Sequence, residues 1–351
     1  MKSRKAVVTT MPSKTNLKSL SKPELESFVK DSGLPLFRAK QLVHWIYERH
    51  ALSIADITEF SKDLREKLSG KAYLSSPELV SRLVSEDGTE KFLFGLEDGE
   101  RIECVLIPDE ERLTLCISSQ AGCAMGCRFC LTGRLGLKRN LFAHEIADQV
   151  IAAARIIAPR RITNIVLMGM GEPLANIENV AEALRRITGL MKISPRRVTL
   201  STAGIVPAIR ELPKKAPPVN LAVSLNATTD AVRNSVMPVN RTYPLGKLFE
   251  ACRKYPLQPR RKITFEYVLL KDVNDSAGDA RRLVCLLKGI PSKVNLIPFN
   301  PYEGAEFGRP DDERVLEFQQ VLLKGSLTAL IRKSKGREIQ AACGQLEAGY
   351  R

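Results

Sequence analysis

Apolar positions along the chain change their period twice. Between residues 20 and 75 they recur at helical spacing, most clearly at 37–47, where Arg38 and Lys40 fall on the opposite side. Ser21 followed by Pro23 and Glu24 supplies a helix start, with a capping hydroxyl and an early proline. Residues 78–118 switch to strand-like segments separated by Glu-Asp-Gly and Pro-Asp-Glu turns. From 112 onward β-like runs at 113–118, 164–168, 197–201, 220–224, 263–270 and 293–298 alternate with helical stretches such as 143–157 and 177–188. Alternating β and α units predict a parallel sheet, because a crossover helix has to return the chain to the same edge. Six units predict an α/β fold in the form of an open, partial (β/α)6 TIM-like barrel. The pattern divides the chain into a basic tail expected to be disordered (1–16), a small helical domain (17–76), a β-rich connector (77–111), the barrel (112–335) and a C-terminal tail (336–351).

Composition adds limits. The 351 residues are 44% hydrophobic and 26% charged, ordinary for a globular protein, and no apolar run is long enough to span a bilayer. The net charge of +15 favours a polyanionic partner. The first 23 residues hold six Lys/Arg and no acid, without the amphipathic stripe of a transit peptide, which predicts a bacterial tail. Eight cysteines, three of them in one loop, point to metal or redox chemistry in a reducing compartment, here the cytoplasm.

That loop is Cys123-x3-Cys127-x2-Cys130, with Phe129 before the last thiol. Three thiolates can ligate three irons of a four-iron cube and leave the fourth iron open. A structural zinc site would need a fourth ligand in paired spacing, and none is present. The motif resembles that of radical S-adenosylmethionine (SAM) enzymes, in which the open iron chelates SAM. The resemblance implies a [4Fe-4S] cluster and SAM as cofactors, and the radical SAM form of the partial barrel.

Sites in parallel barrels form at the C-terminal ends of strands, and polar motifs recur there: 168–173 with Gly171 and Glu172, 201–204, 224–227 and 295–300. Pro-Arg-Arg segments at 160–161, 196–197 and 260–261 each precede a strand and are expected as solvated charge at the opposite end. Arg128, Arg134, Lys138 and Arg139 near the cysteine loop, and Arg332, Lys333, Lys335 and Arg337 after a late β-like run, are the candidate phosphate contacts.

Two further cysteines stand out. Cys116 ends the first barrel strand. Cys343 follows the late basic stretch, where a thiolate is expected to be favoured. Cys104, Cys252 and Cys285 are read as buried and inert. Together with the cluster loop, Gly169-Met-Gly-Glu-Pro, Asn295-Leu-Ile-Pro-Phe-Asn and Ala341-Ala-Cys-Gly-Gln-Leu, in that order, these residues make most of the chain similar to RlmN-type RNA methyltransferases of the RlmN/Cfr family.

The resemblance implies methylation at C2 of an adenosine in 23S rRNA and in the tRNA anticodon loop, with C8 methylation of the Cfr type or another radical SAM activity as alternatives. It implies SAM contacts at Gly171, Glu172, Ser201, Ser224, Leu225, Asn226 and Asn300; many members carry His where this chain has Asn226. It implies two SAM molecules per turnover. One methylates Cys343; the other yields a radical that converts the S-methyl group to a methylene radical, which adds to C2. Glu103 corresponds to the family's proposed base, and Cys116 releases the product by forming a disulfide with Cys343. A flavodoxin or ferredoxin is the implied electron donor. C2 of a stacked, paired adenine is out of reach, so looped RNA is the expected substrate.

Overall fold

A computed structural model describes residues 14–349, which divide into two compact units at Ser76 and Pro77. Residues 1–13, most of the expected basic tail, lie outside the described residues. Residues 15 and 16, counted above with that tail, belong to the first unit. There β1 (Thr15–Asn16) pairs in parallel with β2 (Ala72–Tyr73) around helices α1 (Lys22–Asp31), α2 (Phe37–Tyr47) and α3 (Lys62–Lys71). Ser21 caps α1 as its sequence predicts: Glu24 reaches back to the Ser21 N–H at 2.7 Å. Leu25, Val29, Leu42, Ile46, Ile57, Phe60 and Leu68 are buried, so the amphipathic faces turn inward.

The second unit begins with β3 (Glu78–Val84), β4 (Glu90–Gly95), β5 (Arg101–Asp109) and β6 (Arg112–Cys116), followed by β7 (Gln120–Gly122), the short α4 (Leu131–Arg134), β8 (Leu137–Asn140) and α5 (Ala143–Ile156). Then come β9 (Asn164–Leu167), α6 (Ile177–Arg185), β10 (Val198–Thr202), α7 (Val206–Lys215), β11 (Asn220–Ser224), α8 (Asp230–Val236) and α9 (Leu245–Arg253). The unit closes with β12 (Ile263–Leu269), α10 (Ala277–Leu287), β13 (Ser292–Pro298), α11 (Asp312–Lys324) and β14 (Thr328–Ile331).

The sheet order is β14-β13-β12-β11-β10-β9-β6-β5-β4-β3. From β6 to β14 every neighbour is parallel. The six expected strands form the open barrel, and β14, read above only as a late β-like run, extends it by a seventh. The segment expected as a connector is not separate. Its strands β3–β5 continue the barrel sheet as antiparallel neighbours of β6. Phe92, Phe94 and Ile102 lie in the same core as the barrel's Ile165, Leu200 and Phe265. Period-2 patterning shows that a strand is half-buried but not which edge it joins.

Side-chain alternation splits the barrel strands cleanly. On β12, Phe265 packs against Phe249 of α9, and Tyr267 against Phe318 of α11. Thr264, Glu266 and Val268 therefore face the barrel interior. On β13, Val294 and Leu296 are core, so Asn295 and Ile297 face inward.

Candidate functional site

The cysteine loop hangs between β7 and α4 at the C-terminal end of the barrel. β7 and β8 form a small antiparallel ribbon that holds it. Gly122 is required there: its φ is +75°, and a Cβ would sit 2.0 Å from the Gly136 carbonyl oxygen. The Cys123 N–H donates to that same oxygen at 2.8 Å, and the Cys130 N–H donates to Cys127 O at 3.0 Å. A Cβ at Gly133 would press on the Cys127 backbone at 3.0 Å.

The three thiols lie close enough to influence one another's charge, although among the described residues no three His, Cys, Asp or Glu side chains are gathered tightly enough to hold a metal ion as they stand. Burial pushes Cys123 up to about 12, with Cys130 and Glu172 adding repulsion, and holds Cys127 well above the usual thiol range, with Cys130, Cys123 and Glu172 adding to it. Burial also raises Cys130. Three buried thiols that repel one another as anions suit a cationic cluster, since iron supplies the charge that stabilises all three as thiolates. This donor set and the unpartnered oxygens described below fit a [4Fe-4S] cluster with SAM beside it.

The expected SAM contacts ring this loop on successive strand ends. Gly171 has φ +100°, and a Cβ there would fall 2.6 Å from Cβ of Gln120, so only glycine fits. Glu172 is buried; its carboxylate accepts from Leu174 N–H at 3.0 Å and Ala203 N–H at 2.6 Å, ties that oppose the upward push of burial on its pKa. Ser201 and Ser224 lie at the ends of β10 and β11. Asn300, just past β13, is buried with its Oδ1 lacking any hydrogen-bond partner, and the Tyr302 hydroxyl is likewise unpartnered. Unpartnered buried oxygens are costly, and a polar ligand would satisfy them.

Leu225 and Asn226 are differently placed. The Leu225 side chain lies in the core, and its carbonyl accepts from Arg233 Nε at 3.0 Å. Asn226 adopts φ +55°, a conformation asparagine tolerates. Its Oδ1 accepts from Val268 N–H at 2.8 Å, and its Nδ2 donates to Met237 Sδ at 3.2 Å. The Oδ1 end holds the β11 turn against β12, and the Nδ2 end holds it against Met237 just past α8.

The C-terminal tail brings the remaining residues in. Leu131 N–H donates to Gly344 O at 2.8 Å and Thr132 Oγ1 to Leu346 O at 2.6 Å, so the tail lies along the cysteine loop. Cys343 is reached by solvent, yet protein crowds its thiol: burial first, then Cys130, Cys116 and Glu266, push it up to about 12. The expectation of a favoured thiolate is therefore corrected. The basic stretch before Cys343 in sequence is not what surrounds its sulfur. Cys116, at the end of β6, is buried in an apolar cluster with Val105, Met170, Ala341, Leu346 and Ala348, and burial pushes it up to about 12.

Glu103 on β5 faces the same tail. Its Oε2 accepts from Glu347 N–H at 2.8 Å and Ala348 N–H at 3.1 Å, and its Oε1 pairs with Lys91 Nζ at 3.0 Å. Lys91 also donates to Gln340 O at 3.4 Å. Glu103 thus fastens the segment that carries Cys343.

The arginines near the loop are partnered, and one cysteine is placed differently from expectation. Arg128 is paired with Glu306, Arg139 with Glu145 at 2.7 Å, and Arg134 bonds Gly304 O at 3.1 Å while lying over the Tyr302 ring. These three brace the loop's surroundings, and Arg128 and Arg134 remain exposed. Cys285 is exposed, whereas Cys104 and Cys252 are buried as expected. At the other end of the barrel, Arg112, Arg196 and Arg197 share a groove of about 910 Å³ with Asp109, Glu110 and Glu111, and the opposed charges cancel.

Sequence reading missed Arg233. It is fully buried and donates to Leu225 O, Ala203 O at 2.7 Å, Ser224 O at 3.1 Å and Asn240 Oδ1 at 2.9 Å, and desolvation lowers its pKa to about 10. It knits the ends of β10 and β11 beside Cys127. Nothing in its local sequence marks it.

Comparison with known proteins agrees with this geometry. Residues 15–74 match the ribosomal RNA large subunit methyltransferase N-terminal domain, and residues 117–284 the radical SAM superfamily. The dual-specificity RNA methyltransferase RlmN of Pelobacter propionicus is 52% identical over 339 residues, covering 96% of this chain and 97% of that protein. That of Geobacter sulfurreducens is 52% identical over 342 residues, covering 96% and 93%. A crystal structure of a radical SAM methyltransferase from Sphaerobacter thermophilus superposes with a TM-score of 0.91 at 45% identity, covering 95% of this chain and 99% of that one.

Proposed function

The chain belongs to the RlmN family of radical SAM RNA methyltransferases, and on that footing we propose that it methylates C2 of an adenosine in 23S rRNA and in tRNA. The observation that carries this reading is the seating of Cys343. The tail runs along the cluster loop, and Cys130 and Cys116 both lie close enough to Cys343 to raise its thiol. A radical SAM enzyme that only cleaved its cofactor would need no thiol there.

If bound at Cys123, Cys127 and Cys130, the cluster would supply the electron that turns SAM into a hydrogen-abstracting agent and would take back the one left over when the methylene carbon bonds to C2. Gly171, Glu172, Ser201, Ser224, Leu225, Asn226 and Asn300 frame SAM, Leu225 through its backbone and Asn226 chiefly by fixing the turn. Cys343 accepts a methyl on sulfur and presents it to the target base. Glu103 removes the C2 proton once the tail's amides release its carboxylate. Cys116 then attacks the Cys343 sulfur. A sulfur–sulfur bond forms, the sulfur–carbon bond breaks, and its electron pair stays on the carbon, which takes a proton and becomes the methyl group.

No helix among the described residues is long and apolar enough to cross a membrane. A cytoplasmic setting with a low-potential donor of the flavodoxin or ferredoxin class completes the reading. Mass spectrometry of nucleosides from RNA treated with the reconstituted enzyme tests it. The expected product is 2-methyladenosine; 8-methyladenosine would assign C8 chemistry, and unmodified RNA would overturn the reading.

A further inference from the structure

Glu266 is a buried carboxylic residue at the middle of β12. Ser224, Glu266 and Asn295 are register partners on β11, β12 and β13, a polar row across three parallel strands. Glu266 faces the barrel interior and is 7% exposed. Its Oε1 accepts from Asn295 Nδ2 at 2.9 Å, and no hydrogen bond among the described residues reaches Oε2. That oxygen, on a barrel-facing side chain with no protein donor and still reached by solvent, is open to a donor on a ligand. Burial raises its pKa against the pull of Asn295, Arg332 and Lys293, so those two cations stand near it without pairing to it. Glu266 also lies close enough to Cys343 to raise that thiol.

The tail is tied to the end of β13, where Gln345 Nε2 donates to Pro301 O at 3.2 Å, so the base that Cys343 alkylates enters the same end of the barrel as this carboxyl. Ser224, the register partner of Glu266 on β11, frames SAM together with Glu172, Ser201 and Asn300, so Glu266 stands at the border between SAM and the tail. Cys343 meets the RNA base, and adenine offers one donor suited to a carboxyl acceptor: its exocyclic amine. Arg332 follows β14 and is exposed, as a phosphate contact should be.

We propose that Glu266 and Arg332 form the receptor for the extruded target nucleotide, Glu266 accepting the exocyclic amine of adenine and Arg332 holding the nucleotide's phosphate. The proposal rests on the methyltransferase reading above and deepens it. A site built to accept a donor discriminates against a base that lacks it. A hydrogen bond to a carboxyl of this kind corresponds to a preference of roughly 10- to 100-fold.

The test uses two RNA hairpins, one presenting an unpaired adenosine and one with purine ribonucleoside, which lacks the amine, at the same place. The wild-type enzyme is expected to methylate the adenosine hairpin with the higher kcat/KM by roughly that factor. Glu266→Leu is expected to methylate both hairpins at the rate of the wild type on purine, while retaining SAM-dependent methylation of Cys343, read by mass. Glu266→Gln, which keeps an acceptor oxygen, should retain most of the preference. Arg332→Ala should weaken both hairpins equally.

A wild-type enzyme indifferent to the amine overturns the proposal without any variant. So does Glu266→Leu with its preference intact, or a variant that loses Cys343 methylation, which would place Glu266 in the SAM site. A wild-type enzyme that methylates neither hairpin, and no cellular RNA either, overturns the methyltransferase reading itself.

Discussion

The two ends of the barrel both carry polar and charged residues but treat them in opposite ways. At the N-terminal end Arg112, Arg196 and Arg197 stand beside Asp109, Glu110 and Glu111, and Arg261 bonds Asn220 Oδ1 at 3.0 Å. Those charges are solvated or satisfied. At the C-terminal end polar atoms are buried and left short of partners: Asn300 Oδ1 and the Tyr302 hydroxyl. Around them sit thiols that the protein alone keeps protonated. Ser292 Oγ at the start of β13 is unpartnered as well, so it is the gathering of such atoms beside the thiols, where a polar ligand would satisfy them, that marks the site. What separates a site from a charged surface is therefore unmet bonding capacity in a buried place, and polarity alone does not show it.

The comparison is broken most forcefully at the cluster. Cys127→Ala should abolish stoichiometric iron binding, SAM cleavage and RNA methylation together. Cys343→Ala should lose methylation alone, with slow SAM cleavage continuing. Iron analysis and product chromatography read the two variants. Full cleavage in Cys127→Ala would remove the cluster from this loop.

The next effect is at Cys116. If it resolves the bond between Cys343 and the base, Cys116→Ala stalls at a covalent protein–RNA adduct attached through Cys343. A ribonuclease-sensitive upward shift on a denaturing gel, absent from the Cys116→Ala, Cys343→Ala double variant, is expected. Normal turnover would make Cys116 a packing residue whose truncation costs only about 1–2 kcal/mol.

A stability experiment addresses the tail. Lys91 and Glu103 are both almost fully buried and paired at 3.0 Å. Removing one partner of such a pair costs about 3–5 kcal/mol. Lys91→Met should lower the denaturation midpoint of the second unit and raise proteolysis of the tail. An unchanged midpoint with an intact tail would show that the pair anchors nothing.

The smallest effects belong to surface charge. Alanine at Arg332, Lys333, Lys335 and Arg337 should flatten the salt dependence of RNA binding, by roughly one in slope for each phosphate no longer neutralised. Alanine at Arg196 and Arg197 should leave that slope unchanged and shift stability by about 0.5 kcal/mol or less. A larger change from the second pair would mean that RNA binds the opposite end of the barrel.

Much of this molecule was legible in sequence because its signals are local. The spacing Cys123-x3-Cys127-x2-Cys130 and the glycine at 171 report chemistry within a few residues, and the alternation of apolar runs placed six parallel strands. What escaped depends on encounters across long stretches of chain. Glu103 meets Glu347 from 244 residues away, and the seam joining β5 to β6 is a hydrogen-bonded edge that no periodicity reports. Arg233 and Glu266 sit in ordinary helix and strand segments. Their importance lies in being buried, and a basic or acidic letter in a sequence gives no sign of that. The reading of Cys343 as a favoured thiolate failed for the same reason: neighbours in sequence were taken for neighbours in space.

The central claim is that the methyl group passes through Cys343, and isotope transfer tests it most directly. The enzyme is supplied with SAM bearing a fully deuterated methyl group, and the modified adenosine is weighed by mass spectrometry. A methyl that is held on Cys343, loses one hydrogen to become a methylene and regains another from solvent or substrate keeps two of its three deuterons. The same label should be found on Cys343 before RNA is added. Product carrying all three deuterons, with Cys343 unlabelled, would show direct transfer from SAM and contradict the account.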